Sequence, residues 1–124
     1  MKTTLVSALI NTSKLIDNYK SSDHTDWAAF HEEKLAKLCR DHLPRGIGVF
    51  GVSVAATTDT KAVFYCLYRH TDKHGYFVCN TAYRIVVRPT FTGLAIRVLG
   101  RNKYNVKEYL ADQFRDALER IVDC

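Results

Sequence analysis

The period of the apolar residues changes twice along this chain, and those changes restrict the fold more than any motif in it. Leu5, Ala8, Leu9, Thr12, Ile16 and Tyr19 recur at three-to-four spacing. So do Trp27, Phe30, Lys34 through its alkyl stem, Leu35, Leu38 and His42, and each set marks one face of a helix. The polar stretch 21–26 supplies capping side chains between the two, and Pro44 and Gly46 close the second. After that the pattern turns strand-like. GVFGVSVAAT, KAVFYCLYRH, YFVCNTAYRIVVR and GLAIRVL are rich in β-branched and aromatic residues and are separated by short turn-forming stretches. The helical period returns with Val106, Tyr109, Leu110, Phe114, Ala117, Leu118, Ile121 and Val122, behind Asn105 as a cap with Glu108 at the third helical position. The predicted order is α-α-β-β-β-β-α. Short turns between consecutive strands make the sheet a four-stranded antiparallel meander, an α+β fold with the C-terminal helix packed on one sheet face.

Composition agrees with one such unit. At 124 residues, 47% hydrophobic and 25% charged, the chain fits a single globular domain spanning 1–124. The apolar residues of TTLVSALINTSKLI are interrupted by Thr, Ser and Asn, unlike a signal peptide, and no run reaches the roughly 18 to 20 apolar residues of a membrane span. These features point to a cytoplasm. Cys39, Cys66, Cys79 and Cys124 are irregularly spaced and, in a reducing compartment, read as small hydrophobes rather than a disulfide set.

The net charge of +5 is unevenly distributed. Residues 61–103 hold eight Lys and Arg against the one acid Asp72, whereas 1–60 is balanced and 104–124 is acidic. Such segregation creates a field that attracts an anionic partner, whether nucleic acid or an acidic protein surface.

Residues 66–79 contain C-x3-H-x3-H-x4-C: Cys66, His70, His74 and Cys79. Whether these converge on a metal depends on one turn. TDKHGY suits a three-residue loop in which Asp72 starts a type I turn, Gly75 takes the left-handed position and Asp72 pairs with Tyr76. Continued inward, that register puts His70 opposite Val78, Cys66 opposite Ala82 and Phe64 opposite Arg84. Even-numbered residues of both strands then share one face, and Cys66 and Cys79 fall on opposite sides, too far apart for one tetrahedral ion. No metal or other cofactor is expected. The odd face, with Val63, Tyr65, Leu67, Phe77, Cys79, Tyr83, Ile85 and Val87, is the expected core side. The even face would carry Tyr68, His70, Arg84 and Arg88, with Arg97 joining from the fourth strand, an array of rings and guanidiniums suited to binding a partner. Arg101, Lys103 and Lys107 add a basic strand-to-helix junction, placed as in double-stranded-RNA-binding domains, whose architecture the chain loosely resembles.

Groupings that suggest catalysis are incomplete. HEEKL at His31 lacks the second His of a metalloprotease helix, because position 35 is Leu. His70-Thr71 has no second copy, and Asp112, Asp116, Glu119 and Asp123 follow the outer face of a helix. Gly46, Gly48 and Gly51 spell G-x-G-x-x-G, but they follow a helix and open a strand, the reverse of a phosphate-binding turn. Cys66 and His70 lie roughly 13 Å apart along a strand and cannot act together directly.

The stretches HEEKLAKLCRDHLPRGIG, HGYF and RVLGRNKYNVKEYLADQF resemble a group of small uncharacterised proteins encoded by bacteriophages and related mobile elements. The resemblance implies a phage accessory role in the host cytoplasm, for which inhibitors of host defence, anti-CRISPR proteins among them, are a class. The expected function is thus a non-enzymatic, anti-CRISPR-like inhibitor that binds a host protein or ribonucleoprotein complex through Tyr68, His70, Arg84, Arg88, Arg97, Arg101, Lys103 and Lys107. A nucleic-acid-binding module, of the double-stranded-RNA or the single-strand kind, is the alternative. A Cys/His zinc-binding protein is a second, and the sheet face could also serve a homodimer.

Overall fold

The computed structural model describes residues 2–44, 51–58, 60–91, 93–101 and 105–121, except the side chains of 2–10, 13 and 121. Two helices, α1 (Lys2–Ser21) and α2 (Thr25–His42), precede β1 (Val52–Thr57), β2 (Ala62–Thr71), β3 (Phe77–Thr90) and β4 (Gly93–Leu99), and α3 (Lys107–Ile121) follows. The strands form one antiparallel sheet in the order β1-β2-β3-β4. The expected α+β meander is what the chain forms.

The register differs from the expected one, and the difference re-sorts both faces. The turn itself is as predicted: the Asp72 N–H donates to the Tyr76 carbonyl at 2.9 Å, and Gly75 has φ +84°. Asp72 Oδ1 accepts from the N–H groups of His74 and Tyr76 at 2.8 and 3.0 Å, holding the loop closed. Thr71 then faces Phe77, but His70 faces Cys79, so Val78 is an extra residue that shifts the ladder by one. Every pair further in follows this new parity. Cys66 faces Tyr83 and Phe64 faces Ile85, not Ala82 and Arg84. Even positions of β2 therefore share a face with odd positions of β3.

That shared face is the core. Phe64, Cys66, Tyr83, Ile85, Val87 and Val98 are buried in one cluster with Leu35 and Cys39 of α2 and Leu110, Phe114, Ala117 and Leu118 of α3. The Phe64 and Phe114 rings meet at 5.8 Å between centroids and lock α3 to the middle of the sheet. At the other side, the Arg40 guanidinium donates to the Val52 carbonyl and to Glu33, pinning α2 to the first residue of β1. The α3 stripe is as expected at Leu110, Phe114, Ala117 and Leu118, with Val106 packed against them, but Tyr109 is 42% exposed; the Ile121 side chain and Val122 lie outside the described residues. The helix begins at Lys107, however, with the Leu110 N–H bonded to the Val106 carbonyl at 2.9 Å. Asn105, at φ +54°, sits one residue before the cap position and lacks the extended backbone of an N-cap.

α2 is rotated from its expected face. Ala28, Leu35, Ala36 and Cys39 are buried, whereas Trp27 and Phe30 are 52% and 58% exposed. Small residues on the buried side permit close approach, and the large rings are left at the margin, where Tyr19 stacks on Trp27 and His31. Pro89 lies within β3, yet the β2 ladder ends at the Ala62–Val87 pair, so only β4 runs beside the proline.

Phe114→Ala should lower unfolding stability by about 3–5 kcal/mol, since it empties the space opposite Phe64. Gly100→Ala should cost roughly 1–3 kcal/mol, because a Cβ there, at φ +143°, would stand 2.9 Å from Tyr83 Cδ1. Urea denaturation followed by circular dichroism measures both.

Candidate functional site

With the helices gathered on one side, the chemistry of the other side follows from which residues alternate onto it. Along β2 these are Tyr65, Leu67 and Arg69, with Val63 in the same register but buried; along β3, Asn80, Ala82, Arg84, Val86 and Arg88; along β4, Ala95, Arg97 and Leu99. None of the four strands contains a single Asp or Glu. The face thus carries cations without carboxylates to neutralise them, and among the described residues Arg84, Arg88 and Arg97 make no ion pair or hydrogen bond.

The three arginines occupy regular positions in the register. Arg97 pairs with Val86 and so lies diagonally between Arg84 and Arg88, each diagonal spanning roughly 7–8 Å. With Lys61 they surround a shallow hollow of about 340 Å³ floored by Val86 and Leu99. Tyr65, 49% exposed, sits directly across from Arg84. On its other side is a second hollow, of about 390 Å³, lined by Gly51, Ser53, Leu67 and Ala82. Nearer the hairpin the Arg69 guanidinium lies 5.5 Å from the centroid of the Phe77 ring, which is exposed.

Three of the eight residues expected at the partner face, Arg84, Arg88 and Arg97, are brought together there. Tyr68 and His70 are not. The bulge at Val78 turns them to the helical side, where Tyr68 meets Tyr109 at 6.3 Å and His70 at 4.8 Å, and His70 is only 4% exposed. Arg101 is exposed just after β4, Lys107 opens α3 in the helical layer, and Lys103 lies outside the described residues. The residues that replace Tyr68 and His70 are Tyr65, Lys61, Arg69 and Phe77. Pairing Phe64 with Ile85, so that the most apolar residues of β2 and β3 coincide, would have found them.

The same bulge overturns the expected separation of the two strand cysteines. Cys66 and Cys79 share the core face, as does His70, but Cys79 stands opposite His70, four residues along from Cys66. That is roughly 13 Å by the strand rise. Among the described residues no three of His, Cys, Asp and Glu come together to hold a metal ion. Burial pushes the Cys66 thiol up to about 12, and Cys39 likewise despite the neighbouring Arg40. A thiol in that state supplies no thiolate nucleophile near neutral pH. Burial lowers the His70 pKa, and it raises those of Tyr83 and Tyr68, helped by neighbouring Cys66 and Tyr109 respectively. No helix among the described residues is long and apolar enough to cross a membrane.

No family model, curated protein or solved structure matches the chain. Nothing in these comparisons links it to phage-encoded proteins.

Two solution properties follow from the buried groups. At pH 8, iodoacetamide should leave Cys39 and Cys66 unmodified in the folded protein and alkylate both once denaturant is added, as read by peptide mass mapping. His70 binds a proton more weakly folded than unfolded, where its pKa is near the usual 6.5. Its contribution to stability is therefore lost as pH falls below about 6.5, and the difference in urea midpoint between pH 7.5 and pH 5 should shrink in His70→Gln.

Proposed function

We propose that this protein is a non-enzymatic binding module whose outer sheet face docks an anionic host partner, a protein or ribonucleoprotein complex. One observation carries the reading: Arg84, Arg88 and Arg97 stand together on a strand surface without a carboxylate, so their charges are left for a partner to neutralise. Desolvated Arg beside aromatic rings is the composition of binding hot spots, and Tyr65 supplies the ring at the edge of the guanidinium array. The chemistry of Cys66 agrees, since this thiol, four residues from His70 on β2, is held neutral by burial. The resemblance to phage-encoded proteins adds a role: occupying a surface of a host defence complex that its own nucleic acid or an acidic subunit makes negative.

Pull-down from host lysate tests the docking face, with the full-length chain as bait. Arg84→Glu/Arg88→Glu should lose the partner at a salt concentration where the wild type retains it, with unfolding midpoints unchanged. Reversal of Lys34 and Lys37, on an exposed side of α2, should lose nothing. Equal capture by wild type and the Arg84→Glu/Arg88→Glu variant would refute the proposed face.

A further inference from the structure

The outer face is divided in a way that general attraction to negative charge does not require. One hollow is basic, ringed by Lys61, Arg84, Arg88 and Arg97. The other is lined mainly by small and apolar groups, Gly51, Ser53, Leu67 and Ala82. The directly opposed pair Tyr65 and Arg84 forms the boundary between them. Each hollow, at about 340 and about 390 Å³, lies at the small end of the range for ligand sites, roughly 300–1,000 Å³. A nucleotide has this same division, a charged phosphate at one end and a flat, largely apolar base at the other.

Resting on the docking face argued above, we propose that its occupant is single-stranded nucleic acid, with successive phosphates over Arg84, Arg97 and Arg88 and a base stacked on Tyr65 in the apolar hollow. The three arginine positions lie on cross-strand diagonals of roughly 7–8 Å, and their long side chains can reach successive phosphates of an extended strand. Tyr65 is half exposed on an inner strand, held by strand neighbours on both sides, so stacking a base on it orders little that was free. Phe77, beneath the Arg69 guanidinium, continues the line of rings toward the hairpin. A duplex fits less well, because its bases are stacked on one another and leave the Tyr65 ring and its hollow unused. An acidic protein surface would satisfy the guanidiniums and pack on the ring as well, and the poly-glutamate peptide below separates the two.

Fluorescence anisotropy with a labelled 20-nucleotide oligo(dT) or oligo(U), the duplex of matching length and a poly-glutamate peptide tests this on the full-length protein. Both single strands should bind more tightly than the duplex and the peptide, and the logarithm of affinity should fall with that of salt with a slope of roughly −2 to −3, as for three or four phosphates. Tyr65→Ala should weaken binding by roughly 5- to 150-fold, the range of a lost base stack, while Tyr65→Phe retains it. Arg97→Gln should make the slope less negative by roughly 0.7. Unfolding midpoints confirm that each variant is folded. Preference for duplex or for poly-glutamate, or indifference of oligonucleotide affinity to Tyr65→Ala, would overturn the proposal. If no oligonucleotide binds while Arg84→Glu/Arg88→Glu still loses its lysate partner, the single-strand assignment fails and the docking face stands. If that variant loses nothing, both fail.

Discussion

An extra residue at Val78 decides what each side of the sheet is. The hairpin turn is fixed by Asp72 and Gly75, and the register this turn starts would have set Phe64 against Arg84 and Tyr68 against Asn80. On either side of such a sheet, the core would have had to accept a guanidinium or give up an aromatic ring. The inserted residue avoids both outcomes, because the ladder slips by one just inside the turn. Phe64 then joins Tyr83, Ile85 and Val87 beneath the helices, and Arg84 and Arg88 are turned to the open side with Arg97.

The helical layer and the cationic face are consequences of the same displacement. Because Phe64 points inward, Phe114 of α3 has a ring to meet; because Cys66 and His70 point inward, they are dehydrated and held neutral. Residues that looked reactive in the linear chain are thus core residues. Residues that looked ordinary, Tyr65 above all, become exposed on the open side of the sheet.

Much of the fold was legible in the chain. Hydrophobic period, turn residues and short connections are local, and they were enough for all seven elements, their order and the antiparallel meander. The stripe Leu110, Phe114, Ala117 and Leu118 was legible because a helix repeats its face every three to four residues whatever it packs against. The face of α2 was less so. Trp27 and Phe30 are its most apolar large side chains, but how closely the helix approaches the sheet is set by Ala28, Ala36 and Cys39, and small residues carry little signal of their own. Of the candidate site, the three arginines were legible as a group since they alternate along β3 and its neighbour. Tyr65, Lys61, Arg69 and Phe77 were missed, and Tyr68 and His70 wrongly included, for a single reason of parity.

The chain by itself determined the element order, the Asp72–Gly75 turn and the concentration of positive charge between residues 61 and 103, all of which depend on neighbours close in sequence. Tertiary structure alone decided which side of the sheet those charges occupy. A bulge leaves no fixed residue signature, because its position is chosen by the total of contacts made across the whole sheet and the helices above it, and that total exists only once the distant segments have met.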